Sequence, residues 1–296
     1  MSLALRLEAI RLWRAVDAEL FKVIRRRMTY ILLLAVGLLV LVSYVLLWWG
    51  IRAGPGHRRN AVADWLALKA TMSFVSVTPY GLALERFFAT IAGVIFAGSV
   101  MGNEFDWRTV GLFSAKGVRR WHFVVAKAIV SALFTVVVVV LGFLVALVAS
   151  AWFTHLYGLP YGAMDLARLG TAVASLARTS FVILPLVLLA LSFGMLFRSA
   201  GQAVGAALGV YLLEGVFTAI FDRTQGWISH VPEGLLNFNG DAVMRANGGF
   251  SSEGAGPFLF GSGDAPMWRA ALFLVLWATG FVAFALWRFQ QRDIQE

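Results

Sequence analysis

From Met28 to Ile51 the chain carries no charged residue, and comparable apolar runs recur along the rest of it. A bilayer core about 30 Å thick is crossed by about 20 apolar residues in a helix. Counting such runs places spans at 28–51, 82–103, 123–153, 171–197, 200–221 and 270–287. The second has Glu85 and Arg86 near its start, the fourth contains Arg178 and Pro185, and the fifth contains Glu214. Runs such as Val136 to Val140 favour strand in water, but in hydrocarbon the backbone must bond to itself, so a lone long run is helical. A transmembrane barrel would alternate polar and apolar residues over about ten positions, and these runs do not. Composition agrees: the chain is 60% apolar and 14% charged, against about 45–50% and 25% in soluble domains. The expectation is an all-α integral membrane protein with six transmembrane helices in a single domain over 1–296.

The formal net charge is +9. Its distribution argues for topology rather than nucleic acid, because the bases lie between spans. Arg6, Arg11, Arg14, Lys22, Arg25, Arg26 and Arg27 precede the first span; Arg108, Lys116, Arg119 and Arg120 join the second to the third, with Lys127 at the membrane edge. Arg198 joins the fourth to the fifth, and Arg288 and Arg292 follow the sixth. Lys and Arg hold cytoplasmic loops inside, so this side, with both termini, is expected in the cytoplasm. Arg52, Arg58, Arg59 and Lys69 on the other side weaken the asymmetry. The first run, ending at Trp48-Trp49-Gly50, lacks a small-residue cleavage site and is expected to stay in the mature protein.

Within 1–27, Leu3, Leu7, Ile10, Trp13, Val16, Leu20 and Ile24 recur every three or four residues, with most bases on the other face. That pattern reads as an amphipathic helix lying at the cytoplasmic interface against anionic lipid. The stretch 222–268 is the longest polar connection. It carries more acids than bases, turns Gly- and Ser-rich from Asn247 to Gly263, and reads as an extracytoplasmic loop.

The segment GNEFDWRTVGLFSAKGVRRWHFVVAK, from Gly102 to Lys127, mixes charges with Phe105, Trp107, Leu112, Phe113 and Trp121. Aromatic and Arg side chains together suit a protein-docking surface. The segment resembles the signature of the type-two ABC exporter permeases. Glu104, Thr109, Leu112, Gly117, Arg120 and Lys127 match that pattern in order and spacing; Arg108 stands where the family usually has Gly, and Phe113 replaces a second Leu. The N-terminal helix is similar to the family's elbow helix, and Leu191 to Val210 is similar to its join of spans four and five. The resemblance implies that 104–120 couples the membrane helices to a separate cytosolic ABC ATPase. It implies a short helix in that segment on the cytoplasmic side, with Glu104, Trp107, Arg108, Thr109, Leu112, Phe113, Gly117, Arg119, Arg120 and Lys127 as the coupling residues. It also implies a second permease copy or a paralogue, with ATP and Mg held by the ATPase partner.

Gly98 and Gly102 form one small-xxx-small step, and Gly201, Gly205 and Gly209 form two more. Small residues let helices approach closely; the first reading is packing within one subunit, the second a dimer seam. Arg178 and Glu214 read as the charges deepest in the spans, at similar depth on neighbouring helices, so they are expected to pair.

The chain has no cysteine, which excludes a disulfide framework and thiolate sites. It has no Gly-rich loop ending in Gly-Lys-Ser/Thr, so it does not hold ATP by a P-loop. His57, His122, His155 and His230 are scattered without metal-ligand spacing. The chain is therefore expected to be a non-enzymatic permease subunit of an ATP-driven exporter in a prokaryotic cell (inner) membrane. It contacts lipid, uses no cofactor or metal of its own and does not bind nucleic acid. The alternative is a membrane assembly or regulatory protein without an ATPase.

Overall fold

A computed structural model describes residues 3–55, 61–107, 119–162, 165–221, 227–248 and 265–291. All regular structure among them is helical. The helices are α1 (Leu3–Arg25), α2 (Arg27–Arg52), α3 (Ala61–Met72), α4 (Leu82–Asp106), α5 (Arg120–Leu156), α6 (Leu166–Phe197), α7 (Ala200–Phe221), α8 (Leu236–Met244) and α9 (Met267–Gln290). Six stretches among the described residues are long and apolar enough to cross a membrane: α2, Phe74–Asp106, α5, α6, α7 and α9. The chain is a multi-pass membrane protein by this measure.

Burial sorts the six into a centre and a rim. The most apolar windows of Phe74–Asp106 and α6 are 78% and 72% buried, whereas those of α2 and α9 are 17% buried. The central α4 packs against α5, α6 and α7; α9 packs against α6, and α2 against α5. The exposed Leu34, Leu38 and Leu41 of α2 and Leu272, Val275 and Leu276 of α9 form the kind of surface that acyl chains solvate.

The second span begins earlier than its hydropathy suggests. A 3-10 turn at Phe74–Ser76 and a π-helical turn at Val77–Gly81 lead into α4. Pro79 lies inside the π turn and lacks the N–H that an α-helical turn needs. Glu85 and Arg86 therefore sit well inside the span rather than at its start, and both are buried. The segment before it is not all loop, since α3 fills 61–72 and Trp65 Nε1 donates to Ile51 O at 2.8 Å.

One join shows how a short connection sets neighbours. α6 runs through Pro185 and stops at Arg198, whose φ of 56° is left-handed, before α7 starts at Ala200. Gly98 and Gly102 lie where α4 meets this join: a Cβ on Gly102 would stand 2.4 Å from Ala200 Cα, and one on Gly98 2.9 Å from Val204 Cγ2. That step is packing within the chain, as expected. Gly201, Gly205 and Gly209 differ, because a Cβ on any of them would meet no described residue within 4 Å.

α1 splits its side chains between the bundle and the outside. Val16, Glu19 and Val23 are buried, whereas Ile10, Trp13, Phe21 and Ile24 are exposed. The inward stripe thus carries an acid, and a separate stripe of large apolar side chains is left uncovered.

Candidate functional site

Two clusters of buried charge sit at opposite ends of the bundle. The first joins α1, the end of α4 and the start of α5. Lys127, expected at the membrane edge, is instead fully buried. Its ammonium donates to Glu19 Oε2 at 2.9 Å, Glu104 Oε1 at 3.0 Å and Val100 O at 3.1 Å. A lysine has three protons to donate, and here each finds an acceptor. Lys22 Nζ lies 2.9 Å from Glu19 Oε1 and 3.2 Å from Glu104 Oε1. Glu19, Lys22, Glu104 and Lys127 therefore close a ring of alternating charge across three helices.

The ring has an outer fringe. Arg26 lies 3.9 Å from Glu104 and over the Trp107 ring at 5.2 Å. Glu8 of α1 stands 3.1 Å from Arg119 and 3.2 Å from His122, within ion-pair distance of both. His122 stacks on Trp121 at 3.9 Å between centroids. Of the residues expected at the coupling contact, Glu104 and Lys127 come together, and Trp107 and Arg119 flank them. Arg120 is the first residue of α5. Arg108, Thr109, Leu112, Phe113 and Gly117, with the short helix expected there, lie outside the described residues.

The second cluster surrounds α8. All nine residues of Leu236–Met244 are buried, so the connection 222–268 is not wholly a surface loop. α8 packs against α6, α7 and α9. Gly240 makes the fit possible: a Cβ there would stand 2.6 Å from Arg86 Nη2 and 2.7 Å from Val182 Cγ1.

Charged side chains hold this helix at its start, middle and end. Glu214 accepts the backbone N–H of Leu236 and of Asn237, each at 3.0 Å. These are orphan donors of a helix N-terminus, where a carboxylate also meets the positive end of the macrodipole. In the middle, Arg86 pairs with Asp241 and also donates to Asn237 O at 3.4 Å. Beyond the far end, Arg178 donates to Ala246 O at 2.8 Å and to Asn247 Oδ1 at 2.5 Å. A guanidinium suits the negative end of a helix.

The expected Arg178–Glu214 pair is therefore corrected. The two charges do not meet; each is satisfied by a different end of the α8 segment. Sequence reasoning weighed only charges within spans, while their partners are backbone groups of a segment read as a loop. It also missed Arg86–Asp241. The available signal was Asp241 and Gly240 set among Leu236, Phe238, Val243 and Met244, an apolar frame too rich for a solvated loop.

Nearer the edge of α8, Glu233 pairs with Arg269 and lies 2.6 Å from His230 Nδ1. The His230 hydrogen bond, then the Arg269 contact, hold the Glu233 carboxyl below the usual carboxylate range. No group of three or more His, Cys, Asp or Glu able to hold a metal occurs among the described residues.

No curated protein matches the chain. A family match covers well over half of it, from the last residue of the π turn before α4 to beyond the end of α9; it takes in Glu104, Lys127 and the α8 cluster but not α1. Residues 81–295 match the family described as "Protein of unknown function (DUF2705)", and the chain belongs to that family.

Proposed function

We propose that the chain is the permease subunit of an ATP-driven ABC exporter, forming the translocation path and coupled to a separate cytosolic ATPase. The observation that carries this reading is the closed ring of Glu19, Lys22, Glu104 and Lys127. It ties α1, α4 and α5 together beside the segment that resembles an ABC coupling signature. A force applied to that segment reaches three helices at once, because parting any one leaves buried charge unpaired, at a cost of several kcal/mol. The exposed Trp107 and Arg119 flank the segment as docking side chains.

In this reading the basic end and both termini face the cytoplasm of a prokaryotic cell, and the membrane is its inner one. α1 lies along the interface with Ile10, Trp13, Phe21 and Ile24 in lipid. The partner ATPase holds ATP and Mg. A second copy or a paralogue completes the path, with Gly201, Gly205 and Gly209 of α7 on a face left open for close helix contact. ATP-driven closure moves the ring end, and the α8 segment is the piece displaced at the other end. The two states differ in which charge contacts are made, as such coupling requires.

The test is co-purification of a tagged chain from native membranes. A P-loop ATPase should accompany it. Changing Leu112 and Arg120 together to Glu should remove the ATPase while leaving membrane insertion intact, since charge forced into a docking contact costs about 2–5 kcal/mol. If no ATPase accompanies the wild-type chain, or the double variant keeps it, the coupling reading fails and a non-transport assembly role stands instead.

A further inference from the structure

Glu85 has no place in either cluster. It precedes Arg86 on α4, but the two side chains serve different neighbours. Arg86 reaches α8, while Glu85 lies against α5. Glu85 is 0% exposed, and neither of its oxygens takes a hydrogen bond from any described residue. It fills a notch cut by a glycine: a Cβ on Gly142 would stand 1.7 Å from Glu85 Oε2. The notch belongs to the seam along which α4 and α5 pack. Farther along that seam Phe96 stacks on Phe134 at 3.8 Å between centroids, and beyond them Glu104 meets Lys127. The hydroxyl of Ser131, one turn from Lys127 on α5, is likewise buried with no partner.

No described residue places a charge to neutralise a carboxylate here. α5 has no charged residue between Lys127 and His155, and α2 has none between Arg27 and Arg52. α2 brings Tyr44, whose hydroxyl lies 3.5 Å from where a Cβ on Gly81 would stand, one turn before Glu85. The turn before α4 carries Tyr80. Of the other elements packed against α4, α6 has Arg168, held by Tyr161 O and Phe74 O, and Arg178, held by Ala246 and Asn247; α7 has Glu214, held by the α8 backbone; on α4 itself Arg86 is held by Asp241.

We infer that Glu85 is a proton-binding site: its carboxyl holds a proton while α4 and α5 are closed on it, and yields that proton to water when the seam parts. An unpaired ion in a dry membrane interior is costly, whereas the neutral acid is far less so. The ligand is a proton rather than a metal ion, because a hard cation takes about six or more oxygens and the notch offers one carboxyl among apolar side chains. Since the same seam ends in the ionic ring, movement there is linked to proton release and uptake at Glu85. This holds whether or not an ATPase drives the movement.

The experiment uses the full-length wild-type chain in micelles and in liposomes, treated with dicyclohexylcarbodiimide. That apolar reagent adds to a protonated carboxyl, and peptide mass mapping locates the adduct. Glu85 should carry it, and labelling should fall about tenfold per pH unit once the pH exceeds the site's midpoint. Glu85→Gln should lose this adduct and keep any others; if that variant does not fold, the wild-type map still decides. Glu85 left unlabelled across the whole pH range, or labelled equally at every pH, overturns the proposal.

Discussion

The two ends of the bundle bury charge in opposite ways. At the basic end, four side chains from three long helices meet one another, and the contacts close a ring. At the other end, charges from α4, α6 and α7 converge on one short segment and act largely on its backbone. The ring joins elements that have their own places in the bundle. The second arrangement holds an element that has little else to fix it, since a helix of nine residues is too short to be stable alone. One end ties whole helices to one another; the other seats a short segment between them.

The sharpest way to break this contrast is at Arg86. Arg86→Ala should take from buried Asp241 the guanidinium that faces it and lower stability by about 3–5 kcal/mol. Replacing both residues with Leu should recover most of the loss, as removing a buried pair outright costs far less than splitting it. Thermal unfolding of the purified protein in detergent checks this; equal losses in the single and double variants would remove the middle pin.

Lys127→Met tests the ring. It leaves Glu19 and Glu104 with Lys22, and with Arg26 beside Glu104, and should cost about 2–4 kcal/mol, somewhat less than at Arg86 because these cations remain. In hydrogen exchange, α1 and the end of α4 should lose protection together, as a unit would. Loss confined to α5 would show that the ring does not bind the three helices.

Glu214→Gln and Arg178→Gln should each cost about 1.5–3 kcal/mol, the range for hydrogen bonds to charged groups. They act on opposite ends of the α8 segment, so the double variant should lose the sum of the two, within about 0.5 kcal/mol. A double variant as stable as either single would restore the direct pair that the sequence suggests.

The smallest effect lies at Glu233. Its folded-state affinity for protons is lowered by His230 and Arg269. The resulting stability is present above the unfolded carboxylate value of about 4.3 and is lost as pH falls through the lower folded value. Arg269→Gln should thus reduce the melting temperature slightly at neutral pH, with the difference from wild type vanishing under acid conditions. A difference that grows on acidification would reverse the sign.

The spans were legible because hydrocarbon imposes a length and an apolar composition on each helix separately, and both are local. α7 keeps the bounds read from its apolar run, 200–221. The Gly98–Gly102 step was legible too, since a small-residue pair signals close approach wherever its partner lies. What sequence alone could not decide was partnership. Lys127 meets Glu19 across 108 positions, and Arg86 meets Asp241 across 155, so no window of sequence contains either pair. The α8 helix hid for the same reason. Its apolar and polar residues look like a loop until α4, α6 and α7 supply the charges that cap and pin it. Length and hydropathy determined six helices, among the described residues, able to cross a membrane; only the packing of those helices decided which buried charge each one answers, because charge is satisfied in space and not along the chain.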